Sequence, residues 1–299
     1  VPGHAKRVRR GSQEYYYYLA TSKYFVNNVN FETAYVKRDG QIEIQTMHGT
    51  PLKTLGLDVV ADFPSQASRQ QYIEKNHRWN YLIVQGKFME DKAVQCFDFH
   101  REILKTGYPR TDVLYHTDAE KVKQIKRQLG LPLDKKVILY APTWRVRNRF
   151  EMEKMRKHLA NEYILLVRLH HFCATGYEIP ADGEFIFDLN AYNCVEDLYQ
   201  ISDLLITDYS SIMFDYALLH KPMLFFTYDL EEYSQQLRGV YVDIEKEAPG
   251  PLVFNTDEII YAINHLEAEV EKCRPRTERF IEKFLTYEQG DSCEEIVQR

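Results

Sequence analysis

Short apolar runs alternate with amphipathic runs through the second half of the chain, and this alternation restricts the fold more than any other feature. Five of these runs read VILYAPT, YILLVRL, FIFDL, LLITDY and MLFFTY. Their continuous apolar character is typical of strands that are buried on both faces of a parallel sheet. The intervening stretches have helical patterns, such as DAEKVKQIKRQLG, with Asp118 near its start and Gly130 just past its end. Another is NTDEIIYAINHLEAEVEK, which Thr256 or Asp257 is expected to cap. The pattern predicts an α/β protein built from strand-helix units.

The regular alternation begins only after a break between Tyr115 and Leu133. Before this break the strand-like runs, QIEIQT and YLIVQG, are few, and up to Thr46 there is room for only one or two β-α units. We therefore expect two Rossmann-like, doubly wound domains that face a cleft: a short or truncated N-terminal domain over residues 1–116 and a C-terminal domain over residues 117–299. The last helices are expected to pack back on the N-terminal domain.

Composition argues against several classes of protein. The formal net charge is −6 over 299 residues, whereas a nucleic-acid-binding domain is usually basic. No apolar run approaches the ~20 residues of a transmembrane helix, and the first residues do not resemble a signal peptide. The five cysteines are scattered without a C-x-x-C pair, which is typical of the reducing cytosol and indicates neither a zinc site nor a disulfide framework.

Basic and aromatic residues are concentrated at the start of the chain, against its acidic average. Lys6, Arg7, Arg9 and Arg10 closely precede the run YYYY. Such an edge is able to contact an anionic membrane surface, where each basic residue contributes roughly 1 kcal/mol. A solvated terminus is the alternative interpretation, because terminal segments are often poorly ordered.

His48 lies where an alternating run ends and a Gly-Thr-Pro turn begins, in the stretch QTMHGTPLKTLG. Pro51 favours an extended conformation at Thr50, and Gly49 allows the backbone to approach another group closely. His48 is therefore expected at the carboxyl end of a strand, where open α/β sheets bind their ligands. A histidine that merely hydrogen-bonds a loop is the alternative.

Other predicted strand exits carry hydroxyl or charged groups. In LLITDYSSIMFDYALL, Ser210 and Ser211 open a predicted helix, and the N–H groups at a helix start bind anions. Asp215 follows one turn later, where it is expected to face a ligand such as a sugar hydroxyl. Plain N-capping by Ser210 is the alternative. The run LVRLHH contains Arg168 and His170, which strand alternation places on the same side, where both would hold one anionic group.

Two further segments complete the predicted ligand site. In LYAPTWR, Pro142 and Thr143 are expected to shape a nucleotide pocket, and TGYPRTD places Arg110 in a turn near the domain junction. Together the strand exits indicate a diphosphate ligand.

There is no P-loop, no G-x-G-x-x-G after a strand and no G-x-S-x-G elbow. No D-x-D pair and no H-E-x-x-H demands a metal, so no cofactor is expected.

Six segments, in this order, resemble the CDP-glycerol glycerophosphotransferase family: TMHGTPLKTLG, GYPRTD, YAPTWR, RLH, TDYSSIMFDYALLHKPMLFFTYDLEEY and RGVYVD. The resemblance runs from about Gly11 to the C-terminus. It implies a two-domain glycosyltransferase-B architecture and a role in building the poly(glycerol phosphate) of teichoic acids, while relatives make ribitol-phosphate or capsular polymers. Met47 stands where the family commonly has tryptophan, and the family's N-terminal domain usually has further β-α units before this point.

The resemblance implies transfer of glycerol phosphate, or ribitol phosphate, from a CDP-alditol donor to the terminal hydroxyl of a lipid-linked acceptor, with release of CMP. It implies that His48 is the general base and that His170 acts at the donor's phosphates. A cytoplasmic enzyme, peripheral on the inner face of the membrane, would meet such an acceptor. The other residues carried over would line the donor site: Met47, Gly49, Thr50, Pro51, Arg110, Pro142, Thr143, Arg168, Leu169, Ser210, Ser211 and Asp215.

Two alternatives stay open at this point. A glycosyltransferase that uses a nucleotide sugar would keep the fold, and the donor that is consumed separates it from an alditol-phosphate transferase. A non-catalytic nucleotide-binding remnant would bind the donor without turnover. The short N-terminal part favours the remnant, whereas the presence of His48 and His170 counts against it.

Overall fold

The computed structural model describes residues 5–143, 149–169, 178–236 and 239–299, and these ranges contain two parallel sheets. The first sheet has the order β1-β2-β3-β4, with strands β1 (Tyr24–Asn27), β2 (Ile42–Gln45), β3 (Tyr81–Ile83) and β4 (Glu102–Leu104). The second sheet has the order β10-β9-β8-β5-β6-β7, with strands β5 (Lys136–Tyr140), β6 (Tyr163–Val167), β7 (Ile186–Asp188), β8 (Leu204–Thr207), β9 (Met223–Phe226) and β10 (Leu252–Val253). The α/β class with parallel sheets is confirmed.

Helices connect these strands. None of those described is long and apolar enough to cross a bilayer. Two short 3₁₀ turns, Gly56–Asp58 and Val60–Asp62, follow the first sheet's second strand. The α-helices are α1 (Gln13–Thr21), α2 (Gln66–Asn76), α3 (Lys87–Phe97), α4 (Asp112–Tyr115), α5 (Ala119–Gln128), α6 (Met152–Leu159), α7 (Val195–Ile201), α8 (Ile212–Ala217), α9 (Leu230–Gln236), α10 (Ile244–Glu247), α11 (Thr256–Asn264), α12 (Leu266–Phe284) and α13 (Ser292–Gln298).

The seven strands predicted from apolar or alternating runs are confirmed, but β1, β4 and β10 were not predicted. These three strands have only two to four residues each, which are too few to show a periodicity. The predicted cap of α11 at Thr256 or Asp257 was wrong. Asn255 caps this helix by accepting a hydrogen bond from the N–H of Glu258 at 2.9 Å, while the buried Thr256 hydroxyl accepts from the N–H of Glu151.

The second sheet has a hydrophobic cluster on each face. Alternate residues of β5 separate between them: Val137 and Leu139 join one cluster, and Ile138 and Tyr140 join the other. All four are buried, and full burial of such a side chain contributes about 1.5–3 kcal/mol. Burial on both faces explains why these strands read as continuous apolar runs.

The first sheet has a smaller core and an unusual polar face. Trp79 and Phe97 pack edge to face at 5.5 Å between ring centroids in its main cluster. The buried face of β2 and its preceding residue carries Gln41, Glu43 and Gln45, each at most 5% exposed. Gln41 is satisfied by backbone partners, because its side-chain amide donates to the carbonyl oxygens of Leu19 and Ser22.

The C-terminal segment contacts elements of the first sheet. The N–H of Tyr287 donates to the carbonyl oxygen of Gln85, and the hydroxyl of Ser292 donates to that of Thr106 at 2.6 Å. At the end of α12, a Cβ added to Gly86 would lie only 2.2 Å from the carbonyl oxygen of Phe284. This segment therefore packs against the α3 start and the turn after β4. The division into residues 1–116 and 117–299 stays a prediction.

Candidate active site

His48 lies on a sharp turn just beyond the carboxyl end of β2. The turn uses two left-handed residues, Met47 with φ 54° and Gly49 with φ 145°. The N–H of Met47 donates to the side-chain oxygen of Gln45 at 2.9 Å, which helps to hold the non-glycine residue in this conformation. Residues in such sparsely populated conformations are concentrated at functional sites.

One hydrogen bond determines the tautomer of His48. Nδ1 of the exposed imidazole lies 3.3 Å from the carbonyl oxygen of Asn28. Because a carbonyl oxygen can only accept, this bond requires the hydrogen on Nδ1, and the neutral ring then carries its lone pair on Nε2. The ring therefore presents a proton acceptor, as a general base requires.

The chain after the turn is held by a segment that follows α9. Lys53 forms an antiparallel bridge with Val240, and the N–H of Tyr241 donates to the carbonyl oxygen of Leu52 at 2.9 Å. A Cβ added to Gly239 would lie 2.9 Å from the Thr54 side chain, so the segments that contain these two residues approach closely. The first sheet's histidine turn is thus tied to the second half of the chain.

Thr50 is held in place by a hydrogen bond to a residue that follows β3. It is 1% exposed, and its hydroxyl donates to the side-chain oxygen of the fully buried Gln85 at 2.6 Å. Gln85 follows β3, the neighbour of β2 in the first sheet. Thr50 therefore anchors the turn, and Pro51 lies half-buried beside it.

Arg110 and Asp215 form a two-point ion pair beside the histidine turn. Nε of Arg110 donates to Oδ2 of Asp215 at 3.0 Å and Nη2 donates to Oδ1 at 2.8 Å. A Cβ added to Gly49 would lie 3.6 Å from Nη2 of Arg110, so the pair borders the turn directly. The guanidinium also lies over the ring of Tyr108, 4.6 Å from its centroid.

The Arg110 guanidinium stays charged. Burial opposes its charge, but the adjacent Asp215 carboxylate outweighs that effect, so the pKa of Arg110 is raised above its ordinary value. Asp215 was expected to face a sugar hydroxyl. Each of its carboxylate oxygens accepts one hydrogen bond from Arg110, so the carboxylate orients that guanidinium, and the contact with a sugar hydroxyl stays a prediction.

The exits of β5 and β8 are locked together. Asp208, 4% exposed, accepts from the N–H of Thr143 at 2.8 Å and from its hydroxyl at 2.9 Å. The hydroxyl of Thr207 donates to the carbonyl oxygen of Ala141 at 2.8 Å. Pro142 lies between these anchors, so the predicted Pro142–Thr143 corner has a fixed geometry at the carboxyl edge of the second sheet.

Ser210 and Ser211 precede α8, as predicted, but this helix has only six residues. The N–H of Ile212 lies 3.4 Å from the hydroxyl oxygen of Ser210, a long contact for a cap. A short helix has few aligned peptide dipoles, so its start offers hydroxyl and N–H groups more than a macrodipole. Ser211 is exposed and Ser210 is half-buried.

Arg168 follows β6 and binds backbone. Its Nη1 donates to the carbonyl oxygen of Leu189 at 3.1 Å and to that of Tyr192. The N–H of Leu169 donates to the side chain of Asn190 at 2.7 Å. His170 lies outside the described residues, so the predicted pairing of Arg168 with His170 stays a prediction.

The structure therefore brings together the Met47–Pro51 turn, Arg110 and Asp215, while Thr143 and Arg168 lie at strand exits of the second sheet. Sequence reasoning did not single out Asp208 or Gln85 as site residues. A polar residue directly after an apolar strand was the available signal for both. Within the described ranges, no group of three or more His, Cys, Asp or Glu side chains is placed to hold a metal ion.

Known proteins are similar to this chain in sequence and fold. The family described as CDP-Glycerol:Poly(glycerophosphate) glycerophosphotransferase matches residues 1–299. The chain belongs to this family. A teichoic acid poly(glycerol phosphate) polymerase of Bacillus subtilis (strain 168) is 37% identical over 306 residues, which cover 97% of this chain and 41% of that protein. A teichoic acid glycerol-phosphate transferase of Staphylococcus aureus (strain NCTC 8325 / PS 47) is 35% identical, with 97% and 79% covered.

Solved structures of the wall teichoic acid polymerase TagF agree with the sequence comparison. A histidine-to-asparagine variant of the wall teichoic acid polymerase TagF, soaked with CDPG, superposes with a TM-score of 0.91 at 34% identity, covering 100% of this chain and 76% of that one. Other relatives are teichoic acid ribitol-phosphate polymerases and glycerol-phosphate primases. The chain thus spans less than half of the Bacillus subtilis polymerase but about four fifths of the Staphylococcus aureus transferase.

Proposed function

We propose that this chain transfers glycerol phosphate from CDP-glycerol to the terminal hydroxyl of a lipid-linked poly(glycerol phosphate) acceptor and releases CMP. The observation that carries the proposal is the junction of the His48 turn with the Arg110–Asp215 pair at the carboxyl edge of the first sheet. A base and a cation for a diphosphate are adjacent there. The relatives named as teichoic acid polymerases, and TagF soaked with CDPG, support the choice of donor.

His48 acts as the general base in this proposal. Nε2 accepts the proton from the acceptor hydroxyl while the hydroxyl oxygen attacks the β-phosphorus of CDP-glycerol. The bond between that phosphorus and the bridging oxygen breaks, and CMP leaves with the electron pair. The Nδ1–H bond to the carbonyl oxygen of Asn28 holds the ring in the required tautomer, and the partial negative charge of that oxygen stabilises the positive charge that forms on the ring.

Basic and hydroxyl groups hold the donor. Arg110 uses Nε and Nη2 for Asp215, and among the described residues Nη1 has no hydrogen-bond partner, so that nitrogen is available to a phosphate oxygen. Ser210 and Ser211 supply hydroxyl or N–H donors at the second sheet, while Thr143 is held by Asp208 and fixes the loop after β5. Positively charged and N–H donors of this kind stabilise the developing charge on the leaving CMP.

The finer architecture follows from the same proposal. The two parallel sheets are the cores of two Rossmann-like domains of glycosyltransferase-B type, with residues 1–116 on the acceptor side and residues 117–299 on the donor side. The lipid-linked acceptor places the enzyme at the inner face of the cell membrane as a peripheral protein. Exposed Tyr16 and Tyr17, with the basic residues before α1, support contact with an anionic membrane surface.

CMP release tests the proposal. The purified chain is incubated with CDP-glycerol and a lipid-linked glycerol-phosphate acceptor analogue, with CDP-ribitol and a nucleotide sugar in parallel reactions. We expect CMP to appear only with the acceptor present, and faster from CDP-glycerol than from CDP-ribitol. Consumption of the nucleotide sugar instead would establish the glycosyltransferase alternative. Binding of CDP-glycerol without turnover under every acceptor would establish the non-catalytic remnant.

A further inference from the structure

The carboxyl group of Glu288 lies under the turn that presents Arg110. Its Oε1 accepts from the N–H of Tyr108 at 3.1 Å, and its Oε2 lies 2.8 Å from the hydroxyl oxygen of Thr111. A Cβ added to Gly107 would lie 2.7 Å from Oε2, so the carboxyl fills the space under the turn. Glu288 follows α12 and is 180 residues from Tyr108 in the sequence.

The single hydroxyl hydrogen of Thr111 indicates whether the carboxyl group of Glu288 is protonated. The Thr111 hydroxyl also lies 2.6 Å from the carbonyl oxygen of Tyr108. It has one hydrogen, and both a carbonyl oxygen and a carboxylate oxygen can only accept. Both short contacts are satisfied at once when Thr111 donates to Tyr108 and a protonated Oε2 of Glu288 donates to Thr111. The geometry therefore fits a neutral carboxylic acid.

The surroundings favour the neutral acid as well. Burial raises the pKa of Glu288 to about 7, against the opposing effect of its hydrogen bonds with Thr111 and the N–H of Tyr108 and of the nearby Gln85 amide. The negative charge of Asp215 acts in the same direction as burial. The phenols of Tyr108 and Tyr115 also interact electrostatically with Glu288.

The turn that Glu288 supports determines where Arg110 lies. Tyr108 and Thr111 are at most 1% exposed and flank Arg110 on either side. The N–H of Gly107 donates to the carbonyl oxygen of Val84, which joins the turn to the end of β3. Gln85, next in the chain, accepts from Thr50 at 2.6 Å. One buried network thus fixes the Arg110 turn and the His48 turn relative to each other.

We propose that Glu288 is a positioning residue which, as a neutral carboxylic acid, holds the Gly107–Thr111 turn so that Arg110 and the His48 turn keep their spacing. This inference rests on the proposed function, because its catalytic consequence is donor binding by Arg110. Glu288 itself touches neither Arg110 nor His48 through a hydrogen bond in the described structure. Its effect on the donor therefore passes through the turn.

Hydrogen exchange without ligand tests whether the neutral carboxylic acid of Glu288 holds the turn closed. Opening of the turn releases Glu288 to an ordinary carboxyl pKa, so opening becomes easier as pH rises from about 4.5 to about 7 and then levels off. Protection factors for the amides of Gly107, Tyr108, Arg110 and Thr111 in the wild type are expected to fall about tenfold or more between pH 5.5 and 7.5, after correction for intrinsic exchange. Glu288→Gln, whose amide donates to Thr111 at every pH, is expected to abolish this fall. Glu295→Gln, at an exposed site on α13, is the matched control and should retain it.

Calorimetric binding of CDP-glycerol tests the link to Arg110. We expect Glu288→Ala to bind CDP-glycerol about tenfold more weakly than the wild type, and Glu288→Gln to bind it within about threefold of the wild type. In an Arg110→Ala background, adding Glu288→Ala is expected to change the affinity little. Equal pH dependence in wild type and Glu288→Gln, or additive effects of the two alanine substitutions, would overturn the proposal. If Glu288→Ala does not fold, the exchange comparison of wild type with Glu288→Gln decides the matter. Absence of CDP-glycerol binding by the wild type would overturn the proposed function, and the ligand-free exchange result would still decide the role of Glu288.

Discussion

Arg110 and Asp215 are 105 residues apart in the chain, yet their side chains meet in a two-point ion pair of 2.8 and 3.0 Å beside Gly49. The guanidinium side chain is 29% exposed and the carboxylate 12% exposed. The pair joins the turn after β4 to α8 of the second sheet. It connects the two halves of the candidate site through charge as well as packing.

Replacement of Arg110 by lysine is expected to lower stability and donor affinity together. A lysine cannot reproduce the two parallel N–H bonds to Asp215, and a partly buried carboxylate loses its partner. We expect a loss of about 1–3 kcal/mol in the free energy of unfolding, measured in urea. Lys123→Ala, which removes an exposed pair with Glu120, is the matched control and should cost under about 0.5 kcal/mol. Equal losses in the two variants would show that the Arg110–Asp215 pair is energetically an ordinary surface pair.

The buried Glu43 makes the first sheet sensitive to pH. Burial raises the pKa of this carboxyl, against smaller opposing effects of Arg78, Asn27 and Lys37. Because the folded state holds the proton more tightly than the unfolded chain, the stabilising contribution is present below the unfolded pKa and declines as pH rises through the folded pKa. Glu43→Gln is expected to become more favourable relative to the wild type between pH 5 and 8 in urea unfolding. A difference in free energy that stays constant across this range would contradict the raised pKa.

Close packing at Gly86 is expected to make the α3 start intolerant of a side chain. A Cβ there would lie 2.2 Å from the carbonyl oxygen of Phe284 and 2.9 Å from the nitrogen of Leu285. Both are backbone atoms at the end of α12, so relieving the clash requires the main chain to move. Gly86→Ala should lower the unfolding free energy by about 1–3 kcal/mol or more. Gly130→Ala is the control, because its Cβ meets nothing within 4 Å but its φ of 67° is strained, at about 1 kcal/mol. A smaller loss at Gly86 than at Gly130 would show that α12 and α3 are not packed as closely as described.

Local patterns in the sequence predicted the strands that carry the site. The runs that became β5, β6, β8 and β9 are apolar because both faces of the second sheet are covered, and that signal is visible without any tertiary information. Alternation before His48 likewise predicted a strand exit, and β2 ends three residues earlier. The short strand β4 has no such periodicity and was missed.

The pairings inside the site could not be predicted in this way. Asp215 was assigned to the ligand because its position on α8 faces the site, but its partner Arg110 is distant in the chain. The contacts of Glu288 with Tyr108 and Thr111 bridge still longer separations. Periodicity reports which face of an element is buried, and it does not report which distant side chain meets it there.

The most direct test of the central claim is CMP release by His48→Ala compared with the wild type, in the presence of CDP-glycerol and the lipid-linked acceptor analogue. His100→Ala, at another exposed histidine, is the matched control. We expect His48→Ala to lower turnover by about 10²–10⁴-fold, because a general base typically contributes that much, and to leave the dissociation constant for CDP-glycerol within about threefold of the wild type. His100→Ala should turn over normally. Equal CMP release by His48→Ala and the wild type would contradict the assignment of His48 as the base.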